Sequence, residues 1–367
     1  MKWCRDAGCE IGIDRLGNIY ARRPGSDPDA LPIATGSHLD TQPTGGKFDG
    51  IYGCLAGLEV IRTLNDEGIR TRRPIEVVIW TNEEGSRFAP AMVASGVYSG
   101  KFSLDYALDQ ADADGIRLGD ALAAIGYDGD IEVGARRFDK FFELHIEQGP
   151  VLERENEEIG VVTGVLGMRW YDVRVKGVSA HAGPTPMNYR KDALGASARM
   201  IGELIELASA RADQDGRCTI GELKIPKASR NVIPGDLSFT LDLRNATLEG
   251  LEEMEQQAQS LIDRIAGECG VEVGVERIWD SPPTAFDGGC IEAVEKVVAK
   301  SGYRYRRMTS GAGHDAVNIS TVAPTSMIFV PSVGGISHNE TEYSTPEQIA
   351  SGAQILFEVM RNEAGIL

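Results

Sequence analysis

The sequence predicts an α/β protein of two domains, with the second inserted into the first. Three observations lead there. Strand-like and helix-like stretches alternate up to Ile146, and several of the strand-like ones end at histidines or acids among Gly, Asn and Thr, as in an open α/β sheet with its site at the carboxyl edge. At Gly167 the pattern changes to β-α-β-β-α-β, the ferredoxin-like order of a two-layer unit. After Ser281-Pro282-Pro283 the first pattern resumes. The expected division is residues 1–165 with 279–367 as one discontinuous domain, and 166–278 as the insertion. At 367 residues the chain is long enough for two cores.

The elements follow in order. Met1–Gly8 reads as the last turns of a helix closing at a glycine, so a segment upstream is expected. Cys9–Tyr20 gives two short strands around the turn Asp14–Asn18. Ile33–Ser37 is a strand that delivers His38. Gly50–Gly68 is a helix, with Ile51, Leu55, Leu58 and Ile61 at helical spacing. Ile75–Thr81, rich in Val and Ile, is a buried strand that delivers Glu83 and Glu84. Phe141–Ile146 is another and carries His145. In the insertion, Trp170–Lys176, Arg217–Leu223, Asp236–Leu243 and Val271–Ile278 read as strands, and Tyr189–Ala210 and Leu248–Gly267 as amphipathic helices. A helix over Cys290–Ser301, a strand over Thr325–Val330 and a helix from Pro346 to about Arg361 complete the chain, with His338 between the last two.

Composition narrows the function. Hydrophobic content of 42% and charged content of 25% are those of an ordinary globular protein. A net charge of −18 excludes the basic footprint of a nucleic-acid binder. No apolar run approaches the ~20 residues of a membrane span. The six cysteines form no Cys-x-x-Cys pair, which argues against a thiolate zinc site and for a reducing, cytoplasmic setting.

The chemistry concentrates in a few segments. Ser37-His38-Leu39-Asp40-Thr41 and Gly46-Lys47-Phe48-Asp49-Gly50 place one imidazole and two carboxylates within a dozen residues. Asn82-Glu83-Glu84-Gly85, Leu144-His145-Ile146-Glu147-Gln148, Ser179-Ala180-His181-Ala182-Gly183 and Ser337-His338-Asn339 follow. All five histidines of the chain lie beside acids or glycines. His, Asp and Glu are the ligands of a catalytic zinc-type site, and convergence at one sheet edge supplies enough donors for two ions sharing a carboxylate. Adjacent acids past a strand end point in different directions. One of Glu83 and Glu84 can therefore bind metal while the other moves a proton.

These segments resemble the amidohydrolase branch of the M20 metallopeptidase family, which holds N-carbamoyl-L-amino-acid hydrolases, allantoate amidohydrolases and β-ureidopropionases. Glu83-Glu84-Gly85-Ser86-Arg87-Phe88, Leu144-His145-Ile146-Glu147-Gln148-Gly149-Pro150, Ser229-Arg230-Asn231-Val232-Ile233-Pro234 and Ile336-Ser337-His338-Asn339-Glu340 run in family order with the segments above. Peptidase relatives usually carry an acid where His145 stands. The resemblance implies a metallopeptidase-like domain with a central mixed sheet, and an inserted ferredoxin-like dimerisation or lid domain that makes a homodimer. It implies two divalent ions, Zn²⁺ first and Mn²⁺, Co²⁺ or Ni²⁺ otherwise. His38 and His145 would hold one, Glu84 and His338 the other, and Asp49 would bridge them. Glu83 would be the general base and acid, with Asp40 orienting His38 from behind. His181 would stabilise the oxyanion in the neighbouring subunit. Asn231 and Arg244 would take the substrate carboxylate, with Gln148 and His314 as further substrate contacts.

Hydrolysis of an N-carbamoyl-L-amino acid is the first expectation, with allantoate or β-ureidopropionate as alternatives. An M20 peptidase or aminoacylase, or an inactive binding module, stands behind these. Gly311-Ala312-Gly313-His314-Asp315-Ala316 also fits a dinucleotide-binding glycine pattern. We read it as a wall of the substrate pocket instead, because no strong strand precedes it and no acid follows at the required distance.

Overall fold

Apolar runs rich in Val, Ile and Phe become strands with no exposed face, and these form the middle of the first unit. The computed structural model describes all 367 residues. It divides into Met1–Gly164 with Ala285–Leu367 as one unit and Val165–Thr284 as the other. The first unit opens with a short helix α1 (Lys2–Asp6) and the hairpin β1 (Glu10–Ile13) and β2 (Ile19–Arg23). Buried Asp14 holds that turn, accepting hydrogen bonds from the Leu16 and Asn18 amides at 3.0 Å and from Asn18 Nδ2 and the Tyr20 hydroxyl at 2.9 Å. Then come β3 (Ile33–His38), α2 (Ile51–Asp66), β4 (Ile75–Trp80), and helices α3 (Val93–Ser99), α4 (Leu104–Leu108) and α5 (Leu118–Ile125). β5 (Lys140–Ile146), a single turn α6 (Val151–Arg154) and β6 (Ile159–Val165) lead to the junction.

The second unit is built on a long central strand, β7 (Gly167–Lys176). The short β8 (Ala180–His181), helix α7 (Ala193–Ser209), β9 (Arg217–Thr219), β10 (Leu223–Lys224), β11 (Val232–Ile233), β12 (Asp236–Asn245), helix α8 (Leu248–Cys269) and β13 (Glu272–Ser281) follow. The sheet order β10-β12-β7-β13 is antiparallel throughout and is the ferredoxin-like one. Alternation puts Tyr171, Val173 and Val175 of β7 and Leu237, Phe239, Leu241 and Leu243 of β12 on one face. Met200 and Leu204 of α7 and Leu251, Met254 and Ile262 of α8 cover that face, one apolar stripe from each amphipathic helix.

The chain returns through β14 (Thr284–Ala285), α9 (Gly288–Ser301), β15 (Tyr305–Ser310), α10 (Asp315–Ile319), β16 (Thr325–Val330) and α11 (Pro346–Ala364). Thr345 and Gln348 form a capping box at the start of α11. The first unit's sheet runs β1-β2-β4-β3-β5-β16-β6-β14, with β15 beside β6. Its four central strands, β4-β3-β5-β16, are mutually parallel, and antiparallel pairs flank them. The sheet is therefore mixed. Helices α2, α9 and α11 pack together over it.

Several elements escape sequence reading for identifiable reasons. In α3 every residue from Val93 to Tyr98 is buried, so no amphipathic period marks it. β6 carries Gly160 and Gly164, which break its apolar run. β15 carries Arg306, Arg307 and Thr309 with little burial and no alternation, yet it is a strand directly before Gly311. The glycine-rich segment thus follows a strand, though one without the strong apolar signal of a dinucleotide-binding unit; the acid required downstream is still lacking. The helix expected from Tyr189 starts at Ala193, where the Asp192 carboxylate accepts from the Gly195 amide at 3.0 Å. Arg217–Leu223 is two short strands, not one. β13 continues to Ser281 past a register shift between Arg277 and Trp279, and this bulge disguises its end.

Phe141 is wholly buried in the central sheet, whereas Ile125 at the end of α5 is 66% exposed. Phe141→Ala should lower unfolding free energy by about 3–5 kcal/mol, and Ile125→Ala by less than about 0.5 kcal/mol. Urea denaturation followed by tryptophan fluorescence checks the contrast.

Candidate metal centre

Parallel neighbours present all their carboxyl ends at one edge of the sheet. His38 is the last residue of β3 and lies opposite Trp80, the last of β4. Glu83 and Glu84 follow Trp80 by a few residues. The Thr81 amide is held there by Asn18 Oδ1 at 3.0 Å, a brace from the β1–β2 turn. His145 lies on β5 opposite Phe329 of β16, and the loop after β16 carries His338. Asp49 sits at the entrance to α2. Gly50 after it has φ +68°, and a Cβ there would come within 2.5 Å of the His38 ring. Only glycine allows this approach.

The five residues implied as ligands meet. His145 Nε2 lies 3.1 Å and His38 Nε2 3.5 Å from Asp49 Oδ1. His338 Nε2 lies 3.3 Å from the other oxygen, Asp49 Oδ2, and 3.5 Å from Glu84 Oε2. Two donor groups result, His38-Asp49-His145 and Asp49-Glu84-His338, each with its donor atoms within 4.8 Å of one another. Asp49 belongs to both. The first group is buried, while the His338 side chain is 51% exposed, so the second opens to solvent.

The donor chemistry fits divalent ions. His38 Nδ1 and His145 Nδ1 lie 2.9 Å from the carbonyls of Asp40 and Ile146. A carbonyl accepts only, so both rings bond it through Nδ1–H, which leaves Nε2, facing Asp49, for a proton or a metal ion. Buried Glu84 Oε1 and Gln148 Oε1 have no hydrogen-bond partner, as coordinating or substrate-facing oxygens would not. Titration tells the same story. Burial opposes a charged ring at His38, but Asp49, Glu83, Asp315 and Asp40 outweigh it and lift its pKa to about 11. Burial likewise opposes charge on His145, and Asp49 raises it nonetheless. For His338 the Asp49 contact is the main cause of an upward shift. Burial alone would raise Asp49, yet three imidazoles hold it far below the usual carboxylate range. The pocket demands positive charge, and a divalent ion supplies it without protons.

Glu83 behaves differently from its neighbour. Burial raises its pKa well above the ordinary value, and Asp315, Glu143 and Glu84 add to that against the pull of His38. Its Oε2 lies 3.6 Å from His38 Nε2. The dipeptide thus splits, with Glu84 turned to His338 and Glu83 to the deeper side. Asp40 holds this split in place: its carboxylate accepts from the Glu83 amide at 3.1 Å and the Glu84 amide at 3.0 Å. The expected role of Asp40 is corrected here. Its carbonyl takes His38 Nδ1, whereas its carboxylate stands 3.8 Å from that atom and is already occupied by two amides.

The remaining expected residues divide. Gln148, at φ +58°, donates from Nε2 to Asp49 Oδ2 at 3.0 Å and to Ser337 Oγ at 3.2 Å, so it borders the second donor group. His314 is 2% exposed, with its ring centroid 4.6 Å from that of His145 and its Nε2 3.0 Å from Ser310 Oγ. Burial pushes its pKa well down. It packs against His145 inside the buried centre as a neutral ring. In the second unit, β8 pairs with β11, and His181 lies opposite Val232. The Asn231 carbonyl accepts from the Ala182 amide at 2.9 Å, so His181 and Asn231 lie together beside one exposed two-stranded pairing. Arg244 lies on β12 with Nη2 2.8 Å from Asp242; a substrate carboxylate would have to share it. Three residues of the centre went unread in sequence. Ser37 donates to buried Glu143 at 2.7 Å, and Glu342 caps the Asp49 turn. A serine inside a strand and an acid in a loop carry no pattern that separates them from surface residues.

Comparison with known proteins agrees with this geometry. A profile of peptidase family M20/M25/M40 matches residues 34–362. An N-carbamoyl-L-amino-acid amidohydrolase of Rhizobium meliloti is 46% identical over 367 residues, covering 100% of this chain and 88% of that protein. An allantoate amidohydrolase of Bacillus subtilis is 36% identical, over 96% of this chain and 86% of its own. The crystal structure of an amidase of the hydantoinase/carbamoylase family from Burkholderia multivorans superposes with a TM-score of 0.97 at 51% identity, covering 99% of this chain and 88% of that one. With a donor cluster at the sheet edge and full-length relatives of this kind, the chain belongs to the peptidase M20/M25/M40 family.

Proposed function

We propose that this protein is a two-metal amidohydrolase that removes the carbamoyl group of an N-carbamoyl-L-amino acid, giving the amino acid, CO₂ and NH₃. The observation that carries the reading is the division of Asp49's two oxygens between two donor groups. His38 and His145 would hold one ion and Glu84 and His338 the other. Imidazole and carboxylate donors suit Zn²⁺ first, and Mn²⁺, Co²⁺ or Ni²⁺ as availability dictates. The 46% identical relative named for N-carbamoyl-L-amino acids supports the substrate. Allantoate is the alternative that the Bacillus subtilis relative supports, and β-ureidopropionate shares its ureido chemistry.

Divalent ions in these positions would supply Lewis acidity towards the carbonyl oxygen and the attacking water. The chain's own part is proton transfer and orientation. Water adds to the carbamoyl carbon and gives its proton to Glu83, whose raised pKa suits it to hold that proton. The C–N bond to the amino acid breaks, and Glu83 passes the proton to the departing nitrogen. The carbamate released then falls apart to CO₂ and NH₃. Asp40 keeps Glu83 pointed at the reaction through the amide it holds. We assign Asn231 and Arg244 to the substrate carboxylate, Gln148 to the substrate beside the second ion, and His181 to the oxyanion in the partner subunit of a homodimer joined through the second unit. Six free cysteines fit a reducing cytoplasm, and no helix is long and apolar enough to cross a membrane.

Chelation should abolish turnover, and added Zn²⁺, Mn²⁺, Co²⁺ or Ni²⁺ should restore it. Ammonia release across N-carbamoyl-L-amino acids, allantoate, β-ureidopropionate and dipeptides reads the substrate; cleavage of dipeptides alone would refute the reading. Glu83→Gln should retain the wild-type metal content by elemental analysis while kcat falls by about 10²–10⁴-fold. Robust turnover by that variant would move the base elsewhere.

A further inference from the structure

The loop after β16 buries one acid, Glu342, which is 2% exposed and belongs to neither donor group. Its Oε1 accepts from two successive amides, Phe48 at 3.1 Å and Asp49 at 3.0 Å. Its Oε2 accepts from the Ser337 hydroxyl at 2.8 Å. Ser337 Oγ in turn accepts from Gln148 Nε2, 3.2 Å away, and the same nitrogen donates to Asp49 Oδ2 at 3.0 Å. The bonds close a ring: the Asp49 amide to Glu342, Glu342 to Ser337, Ser337 to Gln148, and Gln148 back to the Asp49 carboxylate. Asp49 is thus gripped at its backbone and at one of its oxygens, and the residue next to His338 is gripped by the same acid.

We propose that Glu342 is the positioning residue that sets the more open of the two donor groups, Asp49-Glu84-His338. Glu342 comes from the end of the chain and Asp49 from near its start, separated by 293 residues. Besides the contact of Asp49 with His338 itself, this carboxylate ties the Asp49 turn to the His338 loop, bonded to amides of the one and a hydroxyl of the other. The edge-to-face contact of Phe48 with Tyr343, with ring centroids 5.8 Å apart, holds the same two segments beside it. His38 and His145 depend on it less, because carbonyls one or two residues along their own segments orient them. Loss of Glu342 therefore loosens one ion's ligands more than the other's. Gly46 makes room for the arrangement, since a Cβ there would come within 2.2 Å of Glu342 Oε1 and 2.4 Å of its Cβ. Gly46→Ala displaces the same carboxylate without altering it.

The inference rests on the two-ion reading, and the test separates the two. Metal-free protein is titrated with Co²⁺, following d–d absorption and calorimetry. Wild type should take up two equivalents. In Glu342→Ala and Gly46→Ala one equivalent should weaken by about 10–100-fold, while the other stays within about threefold. Glu342→Gln should fall between, because its amide nitrogen donates where the carboxylate accepts. In the metal-free state the Phe48 and Asp49 amides should exchange with deuterium about tenfold faster in Glu342→Ala than in wild type. A wild type that binds a single ion overturns the two-ion reading. A wild type that binds two, with variants that lose both equally or neither, or with unchanged amide exchange, overturns the role of Glu342.

Discussion

A buried carboxylate must be partnered by positive charge or by donors, and at Asp49 three imidazoles meet that demand. The rest of the first unit serves this one interaction. Two of the imidazoles face one oxygen and the third faces the other. The side chain is therefore a bridge before any ion is considered. Its neighbours multiply the constraint. Glu83, Glu84, Glu143 and Asp315 crowd into the same low-dielectric space, and their mutual repulsion contributes to the raised pKa of Glu83. A pocket with this many acids is stable only with cations, whether on imidazoles or as metal.

Parallel strands make the crowding possible. Each of β4, β3, β5 and β16 is covered on both faces and so can be apolar along its length. Polar residues then collect where those strands end. Because all four ends lie at one edge, residues as far apart as His38 and His338 arrive within reach of one carboxylate. The cost of bringing polar backbone into this edge is met locally. Asp40 takes the amides of Glu83 and Glu84, Glu147 takes those of Val151 and Leu152, and Glu342 takes those of Phe48 and Asp49. The same device recurs three times, an acid accepting two successive amides, and each instance fixes a turn that borders the pocket.

The second unit follows a different logic. Its helices cover one face of an antiparallel sheet, so alternation along β7 and β12 writes the buried face directly into the sequence. Its candidate functional side chains, His181, Asn231 and Arg244, lie at the short β8–β11 pairing and on the long strand β12 and draw nothing from that core. They are positioned by the backbone pairing of β8 with β11 and by the register of β12.

The sequence by itself determined the parts that periodicity encodes: the α/β class, the ferredoxin-like insertion, the strand that ends at His38 and the strand that ends shortly before Glu83. The candidate donor set of three histidines, Asp49 and Glu84 came from the resemblance of its segments to a family. The elements were legible because apolar period is a local signal, and the histidine-bearing segments stood out because histidine is rare in this chain. Only the tertiary structure decided how the donors are shared and what holds them. It turned the Asp40 carboxylate from His38 to the Glu83-Glu84 amides, set His314 against His145, and brought Glu342 under Asp49. Each of these depends on hydrogen bonds between segments remote in sequence. A single acid or serine in a loop looks the same in the chain whether it ends in solvent or beneath a metal ligand, and only packing separates the two.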